Sequence, residues 1–196
     1  MIFISMARGE QRPAGVQYLA LLRGINVGGK NLVKMTSLRT AVEEMGFDEV
    51  ATYIQSGNVL FRAPRQKREE LADRIESQLS RRFGTELKVV LLTEAQLQGV
   101  IEGAPRGFGA ASHLCDVIFL RKPLTVKRAL GVLETREGVD RAWAGKRVVY
   151  YSRLASKKSS SRLSKVVMLP EYQDMTIRSW STTTKLHGLM GTSANP

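Results

Sequence analysis

The sequence predicts an α+β protein made of two ferredoxin-like (βαββαβ) halves that are joined by a linking helix. Over residues 16–92, apolar segments follow one another in the order strand, helix, strand, strand, helix, strand. The same order recurs over residues 105–190, and residues 93–104 between them have the pattern of one helix. One continuous sheet built from both halves is the alternative that this pattern leaves open.

The first strand and the first helix flank a glycine-rich loop. The apolar run 18–22 predicts a buried strand, which ends where Arg23 and Gly24 begin the loop. Thr36 is predicted to cap the helix that follows, and Gly46 stands where a glycine after a helix C-terminus is expected.

A hairpin and an amphipathic helix complete the first half. Strands over 50–54 and 59–61 enclose a turn at 55–58, whose residues favour tight turns. Residues 69–83 repeat leucine and isoleucine at helical spacing, and Gly84 is predicted to close this helix. The apolar run 87–92 predicts the closing strand.

The linking helix and the second half follow. Thr93 and Gln96 have the spacing of a capping box, which predicts that the linking helix begins there and ends before Gly103. The elements of the second half are predicted as a strand at 116–120, a helix at 126–133, a hairpin of strands at 142–144 and 148–151, a helix at 158–168, a strand at 175–178 and a helix at 182–190 capped by Thr182.

The composition excludes several classes of protein. With 43% hydrophobic and 24% charged residues, the chain is neither disordered, collagen-like nor a long coiled coil. No apolar run reaches the ~20 residues that span a bilayer, and the N-terminus lacks the pattern of a secretory signal. A single cysteine, Cys115, cannot form an intramolecular disulfide. We therefore expect a cytoplasmic protein without a membrane partner, with a disordered leader over 1–15 and a short tail over 191–196.

The net charge points to anionic partners. The chain has 30 Lys and Arg against 18 Asp and Glu, a net charge of +12 at pH 7. One basic run contains no acidic residue and comprises Arg153, Lys157, Lys158, Arg162 and Lys165. Such a run attracts polyanions because binding releases their counterions. It makes nucleic acid one candidate partner, and an ordinary solvated basic surface is the alternative.

The loop after the first strand has the composition of an anion-binding loop. Gly24, Gly28 and Gly29 permit positive φ angles, so backbone N–H groups can converge on an anion, and Arg23 and Lys30 supply positive charge. This predicts a phosphate-bearing or other anionic small molecule as the ligand. A glycine turn that binds nothing is the alternative.

The loop differs from a nucleotide-binding P-loop. Asn31 replaces the Ser or Thr that would ligate magnesium, and the predicted antiparallel order differs from the parallel sheet of P-loop proteins. His113, Cys115 and His187 have no zinc-site spacing, so no metal site is predicted. No cofactor, catalytic base, nucleophile or oligomeric state is assigned, and an enzyme acting on a phosphorylated small molecule is a further hypothesis.

Two other polar segments are candidates for the same site. The turn at 55–58 offers Ser56, Gly57 and Asn58, which also suit a turn without a ligand. The segment 178–185 combines a predicted helix N-terminus with hydroxyls, an indole and cations, which suit a phosphate or a stacked base. Its candidate residues are Arg178, Trp180, Thr182 and Lys185. An indole is nevertheless more often part of a core than a ligand platform.

These segments also carry a resemblance to a known family. The run 21–31 (LLRGINVGGKN), then Met35 and Leu38, then the run 53–59 (YIQSGNV), resembles the bacterial family catalogued as domain of unknown function 1697. The resemblance extends from about residue 16 to residue 190. It implies a two-subdomain α+β fold and no established activity.

The C-terminal part of the resemblance has one departure. The chain is similar to the family's Arg-Asn-Trp-x-Thr-x-x-Lys-Leu pattern through Arg178, Trp180, Thr182, Lys185 and Leu186. Ser179 stands where the family usually has asparagine. If that asparagine binds a ligand, this chain is expected to bind it differently.

The leading hypothesis is that the three segments converge on one anionic ligand. In a ferredoxin-like sheet the first strand neighbours the third, so the loop at 23–31 is expected near the turn at 55–58. The predicted roles are charge from Arg23, Lys30 and Arg178, backbone donors from Gly24, Gly28 and Gly29, and orientation from Asn26, Ser56 and Asn58.

Overall fold

Two antiparallel sheets form the framework of the protein. The computed structural model describes residues 15–26 and 32–192. The first sheet contains β1 (Val16–Arg23), β2 (Asp48–Tyr53), β3 (Asn58–Ala63) and β4 (Lys88–Thr93) in the order β2-β3-β1-β4. The second contains β5 (His113–Leu120), β6 (Asp140–Ala144), β7 (Val148–Leu154) and β8 (Met175–Ser179) in the order β6-β7-β5-β8. The alternative of one continuous sheet is therefore wrong.

Five α-helices accompany the sheets within the described residues. They are α1 (Met35–Glu43), α2 (Arg68–Phe83), α3 (Glu94–Glu102), α4 (Val126–Val132) and α5 (Trp180–Thr192). Three 3₁₀ segments, at Ala155–Ser160, Leu163–Met168 and Pro170–Asp174, connect β7 to β8. None of the described helices is long and apolar enough to cross a membrane.

The two sheets share an apolar core. Leu19 and Leu21 of β1 belong to the same buried cluster as Val117 and Phe119 of β5, and α3 and α5 contribute to it. The alternate residues of β1 face a second cluster with α1 and α2, whereas those of β5 face a third cluster with α4. Both central strands are thus covered on two faces, which explains their nearly continuous apolar sequences.

Several predicted helix ends are confirmed. Thr93 N–H donates to Gln96 Oε1 at 3.0 Å in the capping box of α3. Gly84 ends α2 with φ of 63°, and Gly46 follows α1 with φ of 81°. A residue in the left-handed conformation at these points reverses the chain, so that backbone N–H groups after the helix can donate to its last carbonyls.

Two predicted caps are wrong. Thr36 lies inside α1, which begins after Lys34 because Asn26 holds both backbone groups of Val33 and directs the chain into the helix. Thr182 lies in the first turn of α5, whose N-cap role is taken by Ser179: its Oγ accepts from Thr182 N–H at 3.2 Å.

The helix predicted at 158–168 forms as 3₁₀ segments rather than as one continuous helix. This region contains parts of two 3₁₀ segments, which are separated by Ser161 and Arg162. Leu163 and Val166 are its buried apolar residues, and their three-residue spacing places them on one side of a 3₁₀ turn. Ser161 Oγ accepts from the N–H of Leu163 at 3.2 Å, a local bond of the kind that competes with α-helical bonding.

Candidate functional site

A cleft of about 480 Å³ brings together parts of all three candidate segments. The end of β1 and the residues after it, the turn between β2 and β3, and β8 all line this cleft. Arg23, Ser56 and Arg178 each represent one of those segments. Because β8 belongs to the second sheet, the cleft lies where the two halves of the chain meet. Residues 23–26, residues 55–56 and Arg178 are thus the parts of the three predicted segments that line one cleft.

Arg178 connects the second half to the first. Its Nε donates to Asn58 Oδ1 at 2.6 Å, and its Nη2 donates to the carbonyl oxygens of Leu22 and Ser56 at 2.8 and 2.6 Å. Its Nη1 donates to the carbonyl of Ile177 at 2.9 Å. Through these bonds the guanidinium orders the cleft. Because all the acceptors are neutral, none of them cancels its positive charge.

Two asparagines organise the walls of the cleft. Asn58 is fully buried, and its Nδ2 donates to the Tyr53 carbonyl and to Ser56 Oγ, each at 2.9 Å. Asn26 Nδ2 donates to the carbonyls of Val33 and Gln55 at 3.0 and 2.9 Å. Both side chains therefore use their amide groups to fix the loops around the cleft.

The backbone around the cleft is strained. Asn26 and Ile54 have φ angles of 54° and 48°, and Ile54 is a β-branched residue for which this region is costly. Gly24 and Gly57 also have positive φ angles, of 96° and 72°. Such clustering of unusual conformations is typical of functional sites.

Arg23 places a second cation in the cleft. Its guanidinium lies 4.4 Å from the centre of the Tyr172 ring, a cation–π arrangement that holds the side chain in place. Its Nε is buried and has no hydrogen-bond partner among the described residues. A buried donor without a partner is costly, so this atom is suited to receive a ligand acceptor.

The cleft is electropositive. Arg23 and Arg178 line it, and no carboxylate belongs to the described part of its lining. Burial lowers the pKa of Arg178 to about 10, which leaves the guanidinium protonated at neutral pH. An anion in the cleft would offset the cost of burying this charge.

The other candidate residues of the third segment lie outside the cleft lining. Trp180 packs edge-on against Phe108, with ring centroids 5.1 Å apart, in the core between the sheets. Thr182 Oγ1 accepts from Ser179 Oγ at 2.9 Å within the first turn of α5, and Lys185 is exposed. Gly28, Gly29, Lys30 and Asn31 lie outside the described residues.

The basic run at 153–165 is partly neutralised by acids from distant parts of the chain. Arg153 lies 3.2 Å from Asp116, and Arg162 and Lys165 lie 3.8 and 3.0 Å from Glu134. Lys157 and Lys158 are exposed. The sequence contains no acid within the run, and these pairs form because β5 neighbours β7 and the chain after α4 approaches the 3₁₀ segments.

Sequence reasoning did not identify Tyr172 or Gln55 as cleft residues. Tyr172 lies in a 3₁₀ segment without a recognisable motif, and only the path between β7 and β8 brings it to Arg23. Gln55 was part of the predicted turn, but its contribution is its carbonyl, which accepts from Asn26. Every residue has a main-chain carbonyl, so the residue type at position 55 does not indicate that this carbonyl accepts a hydrogen bond.

Substitution of Gly57 by alanine is expected to destabilise the cleft. A Cβ at this position would lie 2.8 Å from Ile25 Cδ1 and 2.9 Å from Leu22 Cβ, and the φ angle of 72° disfavours any side chain. We expect a loss of about 2 kcal/mol in the free energy of unfolding, measured by urea denaturation. Gly84→Ala, at a positive φ angle but with nothing within 4 Å of the Cβ, is the matched control. Equal losses in the two variants would contradict the steric part of this argument.

Comparisons with known proteins place this geometry in a family context. The family model described as "Protein of unknown function (DUF1697)" matches residues 16–150. The conserved bacterial protein SP0830 from Streptococcus pneumoniae has a similar structure, with a TM-score of 0.79 and 26% sequence identity. The match covers 90% of this chain and 99% of that protein. No curated protein matches the chain.

Proposed function

We propose that this chain, which belongs to the DUF1697 family of proteins of unknown function, binds a phosphate-bearing or similar small anion in the cleft between Arg23 and Arg178. The single observation that carries this proposal is the buried Nε of Arg23, which has no hydrogen-bond partner among the described residues. An oxyanion would supply the missing acceptor and also the missing negative charge.

The two arginines have different roles in this proposal. Arg178 already donates to the carbonyls of Leu22, Ser56 and Ile177 and to the Asn58 side chain, so it is a positioning residue that sets the shape and potential of the cleft. Arg23 is the direct ligand-binding residue, because a ring contact orients its guanidinium and its Nε has no acceptor among the described residues. Its planar fork matches the geometry of a phosphate or carboxylate.

Ser179 fits this proposal without a ligand contact. Its Oγ caps α5, and serine and asparagine are both among the strongest N-cap residues. The departure from the family pattern at this position therefore preserves the start of the helix. We propose that it leaves anion binding in the cleft unchanged.

We also propose that each half is a ferredoxin-like unit. The strand orders β2-β3-β1-β4 and β6-β7-β5-β8 support this, because they place the first strand of each half between its third and fourth. In the second half, 3₁₀ segments occupy the place of the second helix. Anion binding in the cleft does not depend on this classification.

The Arg23→Gln variant tests the proposed anion site. We expect the intact protein to bind inorganic phosphate or pyrophosphate, and we expect Arg23→Gln to weaken that binding about tenfold, because one charge-assisted hydrogen bond is lost. Isothermal titration calorimetry measures the dissociation constants. Lys158→Gln removes the same charge at an exposed position outside the cleft and is expected to leave them unchanged.

Salt dependence separates this function from nucleic-acid binding. Binding of phosphate in a cleft of two cations is expected to weaken modestly between about 50 and 200 mM salt, whereas a polymer contacting six or more phosphates loses about a thousandfold. Tight, steeply salt-dependent binding of single-stranded RNA that Arg23→Gln leaves intact would favour the basic run instead. Absence of phosphate and pyrophosphate binding at millimolar concentration would refute the anion site.

A further inference from the structure

A second cavity lies between the two halves, beside the edge strand β4. Its volume is about 260 Å³, and β4 and α3 line one side while β5 and the turn between β6 and β7 line the other. The apolar residues in its wall include Val90, Leu92, Val100, Phe119 and Val148. All five belong to the core cluster between the sheets. The cavity, which we call the apolar chamber, is thus an opening in that core.

Cations surround the apolar chamber. Arg68, Lys146 and Arg147 line it, and no carboxylate belongs to the described part of its lining. Arg68 and Arg147 also line an adjoining, more polar cavity of about 260 Å³. The two arginines therefore stand where an apolar space meets a polar one. This combination is complementary to a ligand with a hydrocarbon part and an anionic end.

A carboxylate of the protein itself already lies among these cations. Glu69 Oε1 lies 3.1 Å from Lys122 Nζ, 3.4 Å from an Arg68 nitrogen and 3.9 Å from an Arg147 nitrogen. The hydrogen bond from Lys122 lowers the pKa of Glu69 to about 2, so this carboxylate is ionised at neutral pH. The adjoining cavity is lined by two carboxylates and four cations, namely Glu69 and Asp73 against Arg68, Arg121, Lys122 and Arg147. This leaves an excess of positive charge, and Arg68 and Arg147 repel each other.

The edge of β4 adds backbone groups to the same place. The N–H groups of Val89 and Thr93 point away from β1, since they donate to Glu76 and Gln96 side chains. Leu91 lies midway between them and has the same orientation in a strand. The apolar chamber and the adjoining polar cavity together form a groove along β4. Because β4 is the edge of its sheet and Leu91 lines both cavities, the N–H and C=O of Leu91 face this groove.

We infer that this groove binds a small amphipathic carboxylate, whose hydrocarbon part enters the apolar chamber while its carboxylate lies between Arg68 and Arg147. Charge complementarity and the size of the chamber carry the inference. The site is independent of the proposed phosphate site, because the two clefts share no lining residue. A short alkyl chain suits this chamber, whose volume of about 260 Å³ is smaller than that of most ligand cavities.

Two substitutions test the inference with octanoate as the probe, in calorimetric titrations of the full chain. Gly99 lines the chamber within α3, and a Cβ there meets nothing within 4 Å, so Gly99→Leu adds bulk while it favours the helix. We expect this variant to lose octanoate binding. Arg147 has a φ angle of 64°, which asparagine tolerates, and we expect Arg147→Asn to weaken octanoate binding about tenfold.

Matched control variants test whether the loss of octanoate binding is specific to the groove. Gly131→Leu makes the same change in α4, also with nothing within 4 Å of the Cβ, and Arg81→Gln removes one exposed positive charge from α2. Both are expected to bind octanoate like the intact protein, and so is Arg23→Gln in the other cleft. Undiminished binding by Gly99→Leu, binding of 1-octanol as tight as that of octanoate, or no octanoate binding at millimolar concentration would each overturn the inference.

Discussion

Replacement of Arg178 by methionine is expected to lower the free energy of unfolding by about 3–5 kcal/mol, because it leaves buried acceptors without donors. Asn58 Oδ1 and the carbonyl oxygens of Leu22 and Ser56 all accept from this guanidinium. Asn58 is fully buried, so water cannot easily replace the lost donor. The methionine side chain is unbranched like that of arginine but has no hydrogen-bond donor.

The loss is expected despite the cost of burying Arg178. Burial lowers the pKa of the guanidinium, which means that the fold bears a desolvation cost for the charge at neutral pH. A methionine at this position removes that cost. The carbonyls that converge on Arg178 nevertheless remain in place. The cost of leaving several acceptors without a donor exceeds the desolvation cost that is removed.

Urea denaturation of matched variants measures this effect. Arg141→Met makes the same chemical change on the exposed face of β6 and is expected to alter stability by less than about 0.5 kcal/mol. Arg178→Lys keeps the charge but not the planar fork, so we expect an intermediate loss. If Arg178→Met unfolds like the intact protein, the contacts that join β8 to the β2–β3 turn contribute nothing to stability.

The positions of most strands could be predicted from the sequence because buried strands form short apolar runs bounded by polar or glycine-rich segments. β1 and β5 are covered on both faces, so each is a nearly continuous apolar run. The start of α5 was misplaced by three residues because Ser179 and Thr182 are both good capping residues, and only the hydrogen bond from Thr182 N–H to Ser179 Oγ distinguishes them.

The candidate site was predictable only in part. Glycines and short polar residues at 23–26 and 55–58 mark tight loops, and the neighbouring positions of β1 and β3 bring those loops together. The approach of Arg178 depends on how the second sheet packs on the first, which no local pattern encodes. The same applies to Trp180, which packs against Phe108 in the shared core rather than in the cleft.

Replacement of Glu76 by glutamine is the second substitution with a large expected effect, a loss of about 3 kcal/mol in the free energy of unfolding. Glu76 of α2 is 8% exposed and accepts from Arg121 Nε and Nη2 at 2.7 and 2.9 Å. It also accepts from the N–H of Val89 at 2.8 Å. Glutamine keeps the volume but turns one acceptor into a donor that faces the guanidinium.

A control on the same helix separates this pair from an ordinary surface ion pair. Glu70 lies 2.9 Å from Lys67, and both side chains are more than half exposed. Glu70→Gln is therefore expected to cost no more than about 0.5 kcal/mol. A loss in Glu76→Gln as small as that in Glu70→Gln would show that the Arg121 contact is screened by water despite the burial of Glu76.

The two large effects together test whether the halves unfold as one unit. Glu76 joins α2 of the first half to Arg121 after β5, whereas Arg178 joins β8 to Leu22 near the end of β1. Because the sheets share one apolar core, we expect each variant to unfold in a single transition with an unchanged dependence on urea. Separate transitions for the two halves would instead mean that these arginine contacts, rather than the shared core, couple them.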